Sequence, residues 1–410
     1  MKLIHTSDWH LGQLFHGYER HAEHQAFLDW LIGQLREREP DALLIAGDIF
    51  DHANPSGQSQ GQYYRFLAEA RRHCPKLDIV VIAGNHDSAG RLEAPESLLE
   101  AFGVRVIGQL QPDGDPSRAL VPLHDRDGKI AAWCLGIPYL RPGDVPRLEG
   151  ERQNYIHGIA ESYRKHLQAA LDQREPHQAL IAMGHLHAQG GTTSEDSERR
   201  LVIGGEEAVD AGIFGKELAY VALGHLHLAQ KVGGQERIRY CGSPLPLSFT
   251  ETDYPHQILE VHLDGPEIGR VETIHAPRPV PMLRVPSTPK LLPEVVAALE
   301  QLDTEAVEPG GEPWLEVQVL LDGPQPGLRQ EIEEALAGKS VRLVKISPSR
   351  QKNDTSDSPT ETEAELELKL EQPDQMFIRR YRDEWGQEPE GELLALFREV
   401  EDAARQGESA

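Results

Sequence analysis

Five short apolar segments, each ending in a small residue and then in side chains of metal-ligand type, constrain this chain more than any other feature. Residues 79–83 are apolar, rich in β-branched side chains and short enough for a buried strand. Gly84 stops them, and Asn85, His86 and Asp87 follow at once. The pattern recurs. Residues 2–6 lead to Asp8-Trp9-His10, and 42–46 to Gly47-Asp48. Residues 179–183 lead to Gly184-His185-Leu186-His187, and 220–223 to Gly224-His225-Leu226-His227. An amide, imidazoles and carboxylates crowded just beyond buried strands are costly to hold unless a cation stands before them. One G-H-x-H is weak evidence, since a histidine after a strand is more often satisfied or exposed. Five concordant strand ends are far stronger, because ligands of open α/β sheets bind beyond the carboxyl ends of the strands.

Residues 1–275 read as one α/β domain in which strands alternate with helices, an order that favours parallel pairing with helices outside. Asp8 and His10, two apart in an extended segment, are expected to point to one side. Helices are predicted over 24–38, 60–72 and 154–173, with His16, His21 and His24 on the surface. Residues 104–107, 120–123, 130–137, 237–241 and 256–263 read as further strands, so the economical architecture is sheet on sheet with flanking helices. Residues 192–200 form a polar loop in which Arg199 and Arg200 could touch a phosphate backbone. Pro277, Pro279 and Pro281 mark a linker. Beyond it a β-α-β-α-β order over 276–350 predicts a small α/β domain, its first helix opened by Thr288-Pro289. Residues 351–372 are rich in Ser, Thr and Glu and read as a flexible linker. Phe377, Tyr381 and Trp385 fall four apart, and Leu393, Leu396, Phe397 and Val400 make a second stripe. The 351–410 tail is thus expected to be helical and able to dock on a partner's helices.

Length and charge set further bounds. The 410 residues suggest two or three domains. No apolar run is long enough to span a membrane, and the N-terminus runs straight into strand-like sequence, so neither membrane nor signal peptide is expected. Cys74, Cys134 and Cys241 form no C-x-x-C and read as reduced thiols of a cytoplasmic protein. The net charge of −26 argues against tight, unaided binding of nucleic acid. Residues 351–410 account for −10 of it, with 7 Lys+Arg against 17 Asp+Glu. The strand-end carboxylates are of the kind that bound cations neutralise.

Asp, Asn and neutral imidazole without thiolate suit Mn²⁺, Fe²⁺, Co²⁺ or Zn²⁺ better than Ca²⁺ or Mg²⁺. Two Asp, one Asn and three or more His exceed the needs of one ion and suggest a binuclear centre that would activate a phosphoryl group for in-line displacement. A positioned histidine could protonate the leaving oxygen.

D-x-H, G-D, G-N-H-D, G-H and G-H-x-H in this order resemble the calcineurin-like metallophosphoesterase superfamily. SDWHLG (7–12), GDIFD (47–51), GNHDS (84–88), ALGHLHLAQ (222–230) and YCGSPLPLSF (240–249) are similar to the nuclease subunits of bacterial SbcC–SbcD DNA repair complexes. The resemblance implies a metallophosphoesterase β-sandwich over 1–275, a DNA-facing cap over 276–350 and a tail that docks on the SbcC ATPase. It implies that Asp8, His10, Asp48 and His227 hold one metal and that Asp48, Asn85, His185 and His225 hold the other. His86 would be the general acid or phosphate-orienting group, with Asp51 as its partner and His52 open for the same role; His187 has none in the pattern. Relatives outside bacteria often carry histidine where this chain has Asp51. The implied activity is 3′→5′ exonuclease action on double-stranded ends and hairpin opening, with two divalent ions, usually Mn²⁺. A homodimer is compatible with it. The chain has no G-x-x-x-x-G-K-[ST], so any ATP would be hydrolysed by another chain. The alternatives are an esterase acting on a small phosphodiester or phosphoprotein, and a non-enzymatic scaffold.

Overall fold

A computed structural model describes residues 1–350 apart from 112–113, 147–153, 193–207, 305–310, 324 and 326. Arg199, Arg200, the 351–372 segment and the stripes that include Phe377, Tyr381 and Trp385 lie outside the described residues. Met1–Arg350 forms one compact unit.

Two six-stranded sheets face each other. The first runs Glu267–His275, Gln257–Asp264, Lys2–Thr6, Ala42–Ala46, Asp78–Ile82, Val104–Ile107. Its last four strands are parallel, and Gln257–Asp264 joins antiparallel to Lys2–Thr6. The second runs Gln230–Lys231, Ile238–Tyr240, Tyr220–Gly224, Ala179–His185, Ile130–Gly136, Leu120–His124. Successive side chains of a strand point to opposite faces, and both faces of the first sheet are buried. Leu3, Leu44, Ala46, Val80 and Ile82 face the second sheet. Ile4, Leu43, Ile45, Ile79 and Val81 face Phe27 and Leu31 of the helix His21–Arg38 and Tyr63 and Phe66 of the helix Gly57–His73. The helix Asn154–Gln173 covers the second sheet with Ile159 and Tyr163. The fold is therefore α/β, a β-sandwich between helical layers.

Boundaries moved where capping or tertiary packing overrode the local pattern. The first helix begins at His21, so His24 lies on its inner face with no exposed surface rather than on the protein surface. The second begins at Gly57, where the Ser56 hydroxyl accepts from the Ser59 amide. The short helices Ala89–Glu93 and Glu96–Ala101 and the edge strand Glu267–His275 carry too little periodicity to be read from the sequence.

The third sheet is parallel, in the order Met282–Lys290, Trp314–Leu321, Arg342–Arg350, with the helices Leu292–Glu300 and Leu328–Ala335 between its strands. Its first helix opens after Leu291, with Pro293 in the first turn, not at Thr288-Pro289. Pro286 and Pro289 lie instead in the edge strand, where the register shifts between Val285 and Lys290 and a missing N–H is tolerated. Phe15, Phe249, Val280, Met282 and Trp314 form a small apolar cluster between this sheet and the sandwich.

Candidate metal centre

The loops beyond Lys2–Thr6 and Ala42–Ala46 continue side by side after the strands end. The Asp8 amide donates to Gly47 O (3.0 Å), the His10 amide to Asp48 O (3.1 Å) and the Leu11 amide to Ile49 O (2.9 Å). Asp8, His10, Asp48 and His225 have φ of 53°, 46°, 49° and 99°. They make up four of the six left-handed non-glycine residues among those described. Asp8 and His10 therefore converge through a left-handed backbone, not an extended one. Asp and His tolerate that region better than most residues, and strain of this kind gathers at functional sites. Gly84 is required by space: a Cβ there would stand 2.1 Å from Asp48 Oδ1 and 2.4 Å from its amide nitrogen.

Asp48 is central. His185 Nε2 lies 3.3 Å from its Oδ2 and His10 Nε2 lies 3.6 Å from the same oxygen, while Oδ1 accepts from the His86 amide (2.9 Å). Asn85 Oδ1 stands 3.0 Å from His185 Nε2 and 3.1 Å from His225 Nδ1. The His225 amide donates to Asp8 Oδ1 (2.9 Å). Ligand atoms of Asp8, His10 and His227 lie within 4.8 Å of one another, as do those of Asp8, Asp48 and His185, and those of His10, Asp48 and His86. All seven expected ligands and His86 thus come together, whereas His52 is exposed and His187 joins no such group.

Three ligand histidines are turned by acceptors behind them, a device that fixes tautomer and ring orientation. His185 Nδ1 donates to Ala46 O (2.9 Å), His227 Nδ1 lies 2.8 Å from Glu251 Oε1, and His10 Nδ1 lies 3.2 Å from Asp51 Oδ1. The Asp51 carboxylate therefore stands against His10 rather than His86; what holds His86 Nδ1 is the Asp51 main-chain oxygen at 2.6 Å. Glu251 lies 24 residues from His227 and nothing local in the sequence marks it. Asp87 could have been read from GNHDS. Fully buried, it accepts from the amides of Ile49 (3.1 Å), Phe50 (3.0 Å) and Gly84 (2.9 Å), tying two ligand loops together. Arg141 brings a cation close, its guanidinium reaching Asp87 O and lying over Tyr139.

The electrostatics are those of a site built for cations. Burial opposes ionisation of Asp48, but His185, His10 and His86 outweigh it and hold the carboxyl well below its usual range. His185, also opposed by burial, is pushed up to about 9 by Asp48 and Asp8. Burial raises Asp8, and burial with the His185 charge lowers His225 to about 3. His10 Nε2 is buried with no hydrogen-bond partner although it faces Asp48. An orphaned imidazole nitrogen beside a carboxylate is what a divalent cation fits, because a buried polar atom is otherwise costly. A further cluster, Glu260, His262 and Glu272, is already paired with Arg38 and Arg270.

This geometry agrees with the comparisons. Residues 1–229 match the family described as calcineurin-like phosphoesterase, and residues 278–384 match one described as type 5 capsule protein repressor C-terminal domain. The chain belongs to the calcineurin-like phosphoesterases and is a phosphodiester hydrolase that binds divalent metal. The SbcD component of the SbcCD nuclease of Rhodobacter capsulatus is 42% identical over 85% of this chain and 88% of its own length. Its Escherichia coli counterpart is 33% identical over 86% of each chain, and that of Bacillus subtilis 33% identical over 63% of this chain and 65% of its own. Within the class, the chain belongs to the SbcD family of nuclease subunits. Among the described residues, no helix is long and apolar enough to cross a membrane.

Proposed function

We propose that this chain is a two-metal nuclease that cleaves DNA at double-stranded ends and at hairpins, in the 3′→5′ direction on ends, together with the ATPase SbcC. One observation carries the reading: ligand side chains from five strand ends gather around Asp48. Asp8, His10, Asp48 and His227 would hold one ion and Asp48, Asn85, His185 and His225 the other, with Mn²⁺ favoured by the mixed oxygen and nitrogen donors. Two such ions supply Lewis acidity to the phosphodiester and a water activated at neutral pH. The protein's part is orientation and proton delivery. The Asp51 carbonyl accepts from His86 Nδ1, which leaves Nε2 as the ring nitrogen facing the reaction; carrying a second proton, it would give that proton to the leaving oxygen and return to the neutral ring.

Residues 1–275 would be the nuclease domain, 276–350 a DNA-facing cap and 351–410 the segment that docks on SbcC. The charge of −26 supports dependence on a partner, because unaided phosphate binding draws on Lys and Arg. A homodimer is the further assembly proposed. The exposed Leu98 and Phe102, four apart, are apolar residues that such a contact would cover, and Leu98→Glu with Phe102→Glu should then halve the mass seen in sedimentation.

The test is substrate choice with Mn²⁺ added. Linear duplex should be degraded and a hairpin nicked, and His86→Ala should abolish both while keeping two ions per chain. Cleavage confined to a small phosphodiester or a phosphoprotein would transfer the assignment to those substrates.

A further inference from the structure

A buried polar chain runs from the small third sheet to the metal centre. Trp314 opens that sheet's central strand, and its Nε1 donates to Glu23 Oε1 at 3.2 Å. Glu23 is clasped by Arg20, whose Nε and Nη2 donate to the two carboxylate oxygens at 2.9 and 2.8 Å. The other arm of Arg20 donates to Pro246 O and to Gln13 Oε1, both at 2.7 Å, and Gln13 Nε2 donates to Leu247 O at 3.1 Å. The Leu247 amide donates to Glu251 Oε2 at 2.7 Å, and Glu251 Oε1 meets His227 Nδ1. Trp314, Glu23, Arg20 and Glu251 are each at most 3% exposed.

An ion pair taken this far from water is costly to desolvate, so its retention calls for an explanation beyond stability. Its position supplies one, because it joins the third sheet to the 246–251 turn. Phe15 and Phe249 pack on each other beside the chain, with ring centroids 5.2 Å apart, and Phe15 lies 5.6 Å from Trp314.

We propose that Trp314 is a positioning residue for the metal centre: through Glu23, Arg20 and the 246–251 turn, the seating of the small domain sets how Glu251 holds His227. The inference rests on the two-ion reading above and deepens it by making metal affinity at the His227 side depend on the small domain. Phosphodiester substrate pressing on that domain would then be felt at one of the two ions and not equally at both.

The experiment is calorimetric titration of the metal-free full chain with Mn²⁺ for wild type, Trp314→Phe, Glu251→Gln and the double variant. Phenylalanine keeps a ring in place but removes the donor. Trp314→Phe should weaken one of two binding events by roughly 3- to 10-fold, less than the roughly 10- to 100-fold expected when a ligand's direct partner is changed. Glu251→Gln should weaken the same event, and adding Trp314→Phe to it should change nothing more, because residues acting through one route are not additive. Unchanged Mn²⁺ affinity in Trp314→Phe, or additive losses in the double variant, would each overturn the coupling. Wild-type protein that binds fewer than two ions would instead overturn the two-ion reading itself.

Discussion

Replacing Gly84 with alanine adds one carbon where the site has no room for it. The new Cβ would lie 2.1 Å from Asp48 Oδ1, 2.4 Å from the Asp48 amide nitrogen and 2.7 Å from Asp48 Cγ. Ordinary contact begins near 3.4 Å, so the Asp48 backbone or the 84–86 loop must retreat by about 1 Å. Asp48 cannot simply rotate away, because the nearest obstacles include its own main chain. Overpacking of this size costs about 1–3 kcal/mol of stability. The functional cost should be larger, since a misplacement of about 1 Å at a reacting centre lowers rates by about 100-fold. Asp48 also faces His185 and His10 and accepts from the His86 amide, so the shift reaches three other site residues. The assay is hydrolysis of bis(p-nitrophenyl) phosphate at saturating Mn²⁺, with urea unfolding of the same preparation. Gly84→Ala should remain folded, lose a little stability and fall about 100-fold in rate. A folded variant within about threefold of wild type would refute the argument that the close approach of the two loops sets the geometry.

The same change elsewhere should have the opposite sign: Gly33 lies within the helix His21–Arg38 with nothing near its missing Cβ, so Gly33→Ala should raise stability by about 0.5–1 kcal/mol in urea titrations. Burial lowers His5 to about 3, so the native state keeps it neutral while the unfolded chain takes up a proton below about 6.5. Its contribution is therefore complete above pH 6.5 and is lost as pH falls towards 3. Unfolding at pH 7.5 and pH 5 should show His5→Gln losing about 2 kcal/mol less than wild type over that interval. Mn²⁺ at about 100 times its dissociation constant should stabilise the metal-free protein by about 2.7 kcal/mol per ion, read as a rise in melting temperature that EDTA reverses; no rise would count against a native-state metal site.

The five strand ends were legible because the signals there are local. A buried parallel strand needs a continuous apolar run, and the candidate ligands follow it within a few residues, so Asp8, His10, Asp48, Asn85, His86, His185, His187, His225 and His227 stood out from their own neighbourhoods, and only the family resemblance set His187 aside. The two-sided burial of residues 42–46 and 79–83 was written in their composition for the same reason. Tertiary structure decided what stands behind each ligand. Glu251 reaches His227 from 24 residues away, the Asp51 carboxylate turns to His10, and Ala46 O holds His185 from the opposite sheet. It also buried His24, which its neighbours in the sequence place at the surface, and gave Asp8 and His10 a left-handed backbone in place of an extended one. Hydrophobic periodicity reports which face of an element is covered; it carries no record of which distant polar atom will lie within about 3 Å once two sheets and their loops are packed together.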